Sequence, residues 1–127
     1  MHTVIIGLGS NIDPEKNVQA ALDELQKHFK IIRKTPLKRT KPVGPINQPD
    51  FLNGAVLAET DKTCTEIKPI LRTIEDILKR DRSGDRYGPR TIDLDILVWN
   101  DKIIDPDFYD RDFLREEVIR LKPDLKY

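Results

Sequence analysis

The chain has 127 residues, 35% of them charged and 38% hydrophobic, with 22 basic against 22 acidic residues and a formal net charge of zero. That length suits one domain spanning residues 1–127 with a real core and is too short for two, and the balanced charge lacks the basic excess that general nucleic-acid binding needs. No apolar run approaches the ~18 residues of a membrane span, no signal-peptide pattern opens the chain, and the lone cysteine, Cys64, excludes an internal disulfide framework and fits a reducing cytoplasm.

From the N-terminus, the apolar run Thr3 to Leu8 predicts a buried strand. Gly7-Leu8-Gly9-Ser10-Asn11 reads as the turn out of it. Its N–H groups could cradle an anion, but it is neither G-x-G-x-x-G nor a Walker A sequence, so a plain strand-to-helix turn is the better reading. Asp13-Pro14 supplies an N-cap with proline at the first helical position, and Val18, Ala21, Leu22, Leu25 and Phe29 recur behind it at helical spacing. Ile31 to Leu37 is a weaker strand interrupted by Pro36. Thr40 to Asp50, with Pro42, Gly44, Pro45 and Pro49, is a long ordered loop, and Phe51 to Glu59 is a strand. Thr63-Cys64-Thr65-Glu66 matches a capping box, and the helix behind it is expected to bury Ile67, Ile70, Leu71, Ile74, Ile77 and Leu78.

Arg80 to Arg90 is a basic, glycine-containing loop, and the second half of the segment Arg86 to Trp99 reads as the strand it leads into. In that strand Ile92, Leu94, Ile96 and Val98 are expected on a buried face, and Asp93 and Asp95 on the other, about 7 Å apart at ~3.3 Å per residue. Asn100-Asp101 reads as the turn of a hairpin to Lys102-Ile103-Ile104, and Arg111 to Leu121 as a short amphipathic helix. The order strand, helix, strand, strand, helix, strand, plus an edge hairpin and a short C-terminal helix, predicts an α+β fold. It is the ferredoxin-like βαββαβ sandwich, with helices on one sheet face and the other face left for a site built by the 40–50 and 80–90 loops.

Two adjacent carboxylates in an apolar strand need something positive beside them. Pairing with Arg86 and Arg90 is the purely structural answer; a divalent-metal platform carrying substrate phosphates is the functional one. The cations Arg72, Lys79, Arg80, Arg82, Arg86 and Arg90 partly serve the dipole of the preceding helix, but beside the acidic pair they also suit a polyphosphate. Phe51 and Asn53 share a strand face, where an aromatic ring and a carboxamide can stack on and hydrogen-bond a flat heterocycle. His2 and His28 lack neighbouring ligands, so no zinc site is expected.

With these residues in view, the chain resembles the 6-hydroxymethyl-7,8-dihydropterin pyrophosphokinases. The resemblance rests on Gly9-Ser10-Asn11, on Pro42-Val43-Gly44-Pro45 followed by Gln48-Pro49-Asp50-Phe51-Leu52-Asn53, on Ile74-Glu75 with the arginine run, and on Gly88-Pro89-Arg90-Thr91-Ile92-Asp93-Leu94-Asp95-Ile96. It covers about residues 3 to 104, with a looser echo in Arg111-Asp112-Phe113. It implies the ferredoxin-like fold and transfer of pyrophosphate from ATP to the pterin hydroxymethyl group, with release of AMP, in folate biosynthesis. By the same resemblance Asp93 and Asp95 hold two Mg²⁺ ions, and Arg80 and Arg90 close on the transferring phosphates. Glu75, Arg82, Tyr87, Arg90, Ile96 and Arg111 hold ATP, while Thr40, Val43, Gly44, Phe51, Asn53 and Phe113 line the pterin pocket. Three positions depart from the family pattern. Tyr87 replaces its usual Trp, the stretch Asp105 to Asp110 is shorter and lacks a Pro-His segment, and the sequence stops at Tyr127. The expected protein is a cytoplasmic monomer with ATP and the pterin as partners, without nucleic acid or membrane. The competing reading is a non-catalytic pterin- or nucleotide-binding or partner module of the same descent; an RNA-binding ferredoxin-like domain fits worse, because the relevant strand carries acids.

Overall fold

The computed structural model describes residues 1–83 and 88–127. Its centre is a six-stranded antiparallel sheet of β1 (His2–Ser10), β2 (Lys30–Lys34), β3 (Lys38–Thr40), β4 (Phe51–Thr60), β5 (Asp93–Trp99) and β6 (Lys102–Ile103). The strands lie in the order β2-β4-β1-β5-β6, with β3 also on β4, which is the sheet order of the βαββαβ sandwich expected from sequence. Pro36 divides the second strand position into β2 and β3, as its missing donor predicts. Thr35 holds the junction in place: its N–H donates to the Ala55 carbonyl at 2.9 Å, and its hydroxyl accepts from the Ala55 N–H at 2.9 Å.

Helices α1 (Pro14–His28) and α2 (Cys64–Ile77) cover one sheet face. Val18, Ala21, Leu22 and Leu25 of α1, then Phe29, pack with Ile67, Leu71 and Ile74 of α2 on Val4, Ile6, Leu8, Leu52, Val56, Leu94 and Ile96. The capping box forms: the Glu66 N–H donates to the Thr63 hydroxyl at 3.2 Å, and the Thr63 N–H to the Glu66 carboxylate at 2.9 Å. Asp13, in contrast, makes no side-chain cap. It sits at φ 41° in the left-handed region, and its carbonyl accepts from Asn17 N–H at 2.9 Å. Ile77 was expected in the core but is 53% exposed. Ile74 and Leu78 take the core-facing positions of this turn, which leaves Ile77 on its outer side.

Three expectations change with the tertiary structure. First, the second sheet face is not bare. Two further helices, α3 (Asp107–Asp110) and α4 (Asp112–Leu121), fold onto it, and Phe108, Leu114, Val118, Leu121 and Leu125 bury Ile5, Ala55, Leu97 and Val98. The amphipathic C-terminal helix was legible, but not the face it would cover. Second, Val98 belongs to this second cluster and not with Ile92, Leu94 and Ile96. A register shift sets Ile5 opposite Val98 and Ile6 opposite Ile96, so Leu97 is the extra residue and reverses the alternation beyond it. Third, Gly7-Leu8-Gly9-Ser10 is not a turn. These residues continue β1, paired with β4 on one side and through Gly9 with β5 on the other, so their N–H groups belong to the ladder and not to an anion cradle.

No helix among the described residues is long and apolar enough to cross a membrane. Because α4 closes a core of its own, Leu121→Ala should lower the free energy of urea unfolding by about 2–5 kcal/mol. A loss below about 0.5 kcal/mol, the range of an ordinary surface substitution, would mean that α4 does not dock on the sheet.

Candidate active site

The site begins with two side chains that are missing. On the face partly covered by α4, β1 presents Gly7, opposite Ala55 and Asp95, and Gly9, opposite Asn53 and Asp93. The centre of the sheet is therefore a trough with an acidic pair on one bank and the carboxamide of Asn53 on the other. A methyl group on Gly9 would stand 2.9 Å from Asn53 Oδ1, and one on Gly7 would stand 3.1 Å from Leu97 Cδ1.

On the Asn53 bank, β3 pairs with the start of β4 and sets Thr40 opposite Phe51. The Asn53 amide nitrogen donates to the Thr40 hydroxyl, which turns its carbonyl oxygen towards the trough. Asn11 ties the surrounding loops together. Its side-chain nitrogen donates to Gln48 Oε1 at 2.8 Å and to the Pro49 carbonyl at 3.0 Å, and its oxygen accepts from Arg90 N–H at 2.8 Å. The Gly9-Ser10-Asn11 segment is thus a floor followed by a clamp.

The acidic bank is electrostatically crowded. Asp93 Oδ1 accepts from Arg80 at 3.0 Å and Oδ2 from Arg90 at 2.8 Å. Glu75, 6% exposed, accepts from Arg80 at 2.5 Å, from Arg82 at 2.8 Å and from the Leu94 N–H at 2.9 Å, so α2, the arginine segment and β5 meet at one carboxylate. Arg82 also pairs with Asp76. The like charge of this segment therefore does not leave Arg80, Arg82 and Arg90 unpacked, because each guanidinium has a carboxylate partner. Arg86, expected beside the acidic pair, lies outside the described residues, and Arg80 takes the second place on Asp93.

Asp95 has a carboxyl open to the cavity but walled in by protein. That desolvation, reinforced by the charges of Asp93, Asp105 and Glu75, raises its pKa to about 7. Such a surplus of negative potential fits a cation. Among the described residues no three His, Cys, Asp or Glu side chains group around one metal position. Two carboxylates and no third suit Mg²⁺ that takes its remaining oxygens from phosphate and water, better than a closed protein cage. The buried Nε of Arg80, without a hydrogen-bond partner, likewise fits a phosphate oxygen.

A cavity of about 430 Å³ joins both banks. Among the residues proposed from sequence it brings together Thr40, Val43, Phe51, Asn53, Glu75, Arg80, Arg90, Asp93, Asp95, Arg111 and Phe113. Ile96 instead lines an adjoining cavity of about 600 Å³, with Lys68, Arg72 and Ile104; the two share Glu75, Leu94 and Asp95. Gly44, at φ 101°, and Arg82 line neither cavity, and Tyr87 lies outside the described residues.

Sequence reasoning missed Gly7, Lys41, Asp107, Leu114 and Glu117 on the wall of the cavity that joins the two banks. Glu117 had a signal: it interrupts the apolar stripe Leu114, Val118, Leu121 at helical spacing, and a carboxylate at a core position calls for a reason. It is 8% exposed, and burial lifts its carboxyl to about 7, with Lys38 opposing and Glu116 reinforcing the shift. A carboxyl whose pKa rises on folding destabilises the native state as it ionises. The penalty is absent below about pH 4.5, grows between there and about pH 7, and is complete above. Glu117→Gln should therefore gain stability over the parent with rising pH, by on the order of 2–3 kcal/mol at pH 8 relative to pH 4.5 in urea unfolding. A difference independent of pH would show that the carboxylate is not desolvated.

Residues 5–123 match the family model described as 7,8-dihydro-6-hydroxymethylpterin-pyrophosphokinase (HPPK). The chain is 34% identical to the 2-amino-4-hydroxy-6-hydroxymethyldihydropteridine pyrophosphokinase of Pseudomonas aeruginosa, over 97% of this chain and 82% of that one. It is 31% identical to the enzyme of the same description from Haemophilus influenzae, over 98% and 84%. It is also 37% identical to the folate synthesis bifunctional protein of Arabidopsis thaliana, over 81% of this chain but 23% of that longer protein. The trough between the Asp93–Asp95 pair and the Phe51–Asn53 wall thus sits in a chain that belongs to the 7,8-dihydro-6-hydroxymethylpterin-pyrophosphokinase family.

Proposed function

We propose that the chain transfers a pyrophosphoryl group from ATP to the hydroxymethyl oxygen of 6-hydroxymethyl-7,8-dihydropterin and releases AMP, within folate synthesis. The observation that carries this reading is the cavity itself. One trough joins the Phe51–Asn53 wall, suited to a flat heterocycle, to the Asp93–Asp95 pair and the guanidiniums of Arg80 and Arg90. Release of AMP requires the hydroxymethyl oxygen to attack the β-phosphorus of ATP. A P–O bond forms there as the bond to the α-phosphate oxygen breaks, and the hydroxyl proton leaves to solvent.

Phosphoryl transfer asks little covalent chemistry of a protein; it needs in-line positioning and neutralised charge. Phe51 and Phe113 would hold the ring between them, with Thr40, Val43 and Gly44 at its border and Asn53 Oδ1 accepting from a ring N–H. Glu75, Arg82, Tyr87, Ile96 and Arg111 would hold the nucleotide, its base lying in the cavity lined by Ile96. Two Mg²⁺ ions bound by Asp93 and Asp95 with the phosphates would neutralise the charge that builds on the transferring group. Arg80 and Arg90, which brace Asp93 here, would exchange that carboxylate for phosphate oxygens as the nucleotide enters. Every residue given a role comes from one chain read as a single domain, which supports a monomer; its proposed partners are ATP and the pterin, and its proposed place the cytoplasm.

The direct test is AMP release from ATP, Mg²⁺ and the hydroxymethyldihydropterin, coupled to an AMP-consuming indicator. Pterin binding with no AMP formed would instead identify a non-catalytic binding module. Asp95→Asn should reduce turnover on the order of 10²-fold or more without unfolding the protein; a folded variant with parental turnover would remove Asp95 from the metal site. Phe51→Ala should weaken pterin binding by about 1–3 kcal/mol in calorimetry and leave the ATP analogue nearly unaffected. The opposite pattern would mean that the two pockets are exchanged.

A further inference from the structure

Glu117 lines the cavity from α4, and the charged residues that precede it there are engaged elsewhere. Glu116 Oε2 lies 3.5 Å from Lys38 Nζ, Arg115 pairs with Asp112 at 2.5 Å, and Arg111 pairs with Asp107 at 3.3 Å. Glu117 itself forms no ion pair and receives no hydrogen bond among the described residues, although it is more than nine-tenths buried. The charged groups that bear on it are Lys38 of β3, already facing Glu116, and Glu116 on its own helix. It is anchored on both sides by Leu114 and Val118, which pack on the sheet, so its carboxylate is held against the cavity that also contains Phe51, Asn53 and Phe113. Its oxygens are open to the cavity, and an acceptor that faces a cavity with no protein donor beside it is free to take donors from a ligand.

The heterocycle proposed for this cavity brings such donors. An amino-pyrimidinone ring carries one ring N–H beside an exocyclic amino group, which together present more donors than the single free oxygen of Asn53 can accept. A carboxylate offers two acceptor oxygens in the plane needed for adjacent N–H groups, and charge assistance makes those bonds stronger than neutral ones. We infer that Glu117 is a specificity residue for the pterin, its carboxylate accepting hydrogen bonds from the 2-amino edge of the ring. The inference rests on the reading of this cavity as a pterin site. It explains why α4 carries an acid on its core stripe: the side chain is unfavourable in the empty protein and gains its partners with substrate.

Calorimetry on the full chain, with Mg²⁺ and a non-hydrolysable ATP analogue present, compares 6-hydroxymethylpterin with its 2-oxo counterpart, which lacks the amino group. The parent protein should prefer the amino compound by about tenfold or more, and Glu117→Gln and Glu117→Leu should each lose most of that preference, with pterin affinity falling on the order of tenfold. Affinity for the ATP analogue alone should stay within about twofold. The leucine variant, which extends the apolar stripe, keeps the test available if the glutamine variant folds poorly. Parental affinity and preference in either folded variant would overturn the role of Glu117, as would weaker pterin binding with the preference intact, a sign of altered pocket shape only. Failure of the parent itself to bind pterin would overturn the assignment of the cavity and the role of Glu117 with it.

Discussion

Strand β1 is paired along both edges and carries Val4, Ile6 and Leu8 into the α1–α2 core, but on its other face Gly7 and Gly9 raise no side chain. The rest of the site depends on that gap. Glycine weakens a strand interior, because it adds entropy to the unfolded chain and packs nothing. Here the loss is local, since ladders on both sides hold the backbone. What the gap permits is the close approach of the Asn53 carboxamide to the β1 backbone and an open path from there to Asp93 and Asp95, two strands away. A side chain on Gly9 would press on Asn53, and the two banks would no longer share one cavity.

The second organising force is charge held at close range. Asp93, Asp95, Glu75 and Asp105 lie together at one end of the sheet, Arg80 and Arg90 pair with Asp93, and desolvation, reinforced by the neighbouring acids, holds the Asp95 carboxyl above its ordinary value. These ion pairs join α2, the arginine segment and β5, so they position side chains more than they stabilise the fold. Glu117 repeats the theme on the same cavity's wall, where burial raises the energy of the carboxylate. Both ends of the trough are less comfortable empty than a site designed only for stability would be.

Much of the fold was legible because its elements obey local rules. Pro14 at the first turn of α1, the Thr63–Glu66 capping box, the break at Pro36 and the turn at Asn100-Asp101 each act over a few residues, and each stands where those rules place it. The alternation of Asp93 and Asp95 with apolar neighbours was equally readable up to Ile96. Beyond that it fails, because a bulge depends on the register with β1 and leaves no mark on the composition of β5. The glycines of β1 misled for a related reason: glycine favours turns by its own conformational freedom, and only pairing with strands distant in sequence keeps Gly7 and Gly9 extended.

The sequence by itself determined the α+β class, the order of elements, and a resemblance whose motifs drew Asp93, Asp95, Phe51 and Asn53 into one set. Those features reside in short-range patterns and in residue chemistry that survives without coordinates. Only the tertiary structure decided which face of the sheet α4 covers, that Arg80 and Arg90 divide the two oxygens of Asp93, and that Glu117 reaches the same cavity as Asn53. Each of these depends on how close residues far apart in the chain come to one another. Periodicity shows that a helix has an apolar stripe, but the surface it meets is chosen by the packing of the whole chain.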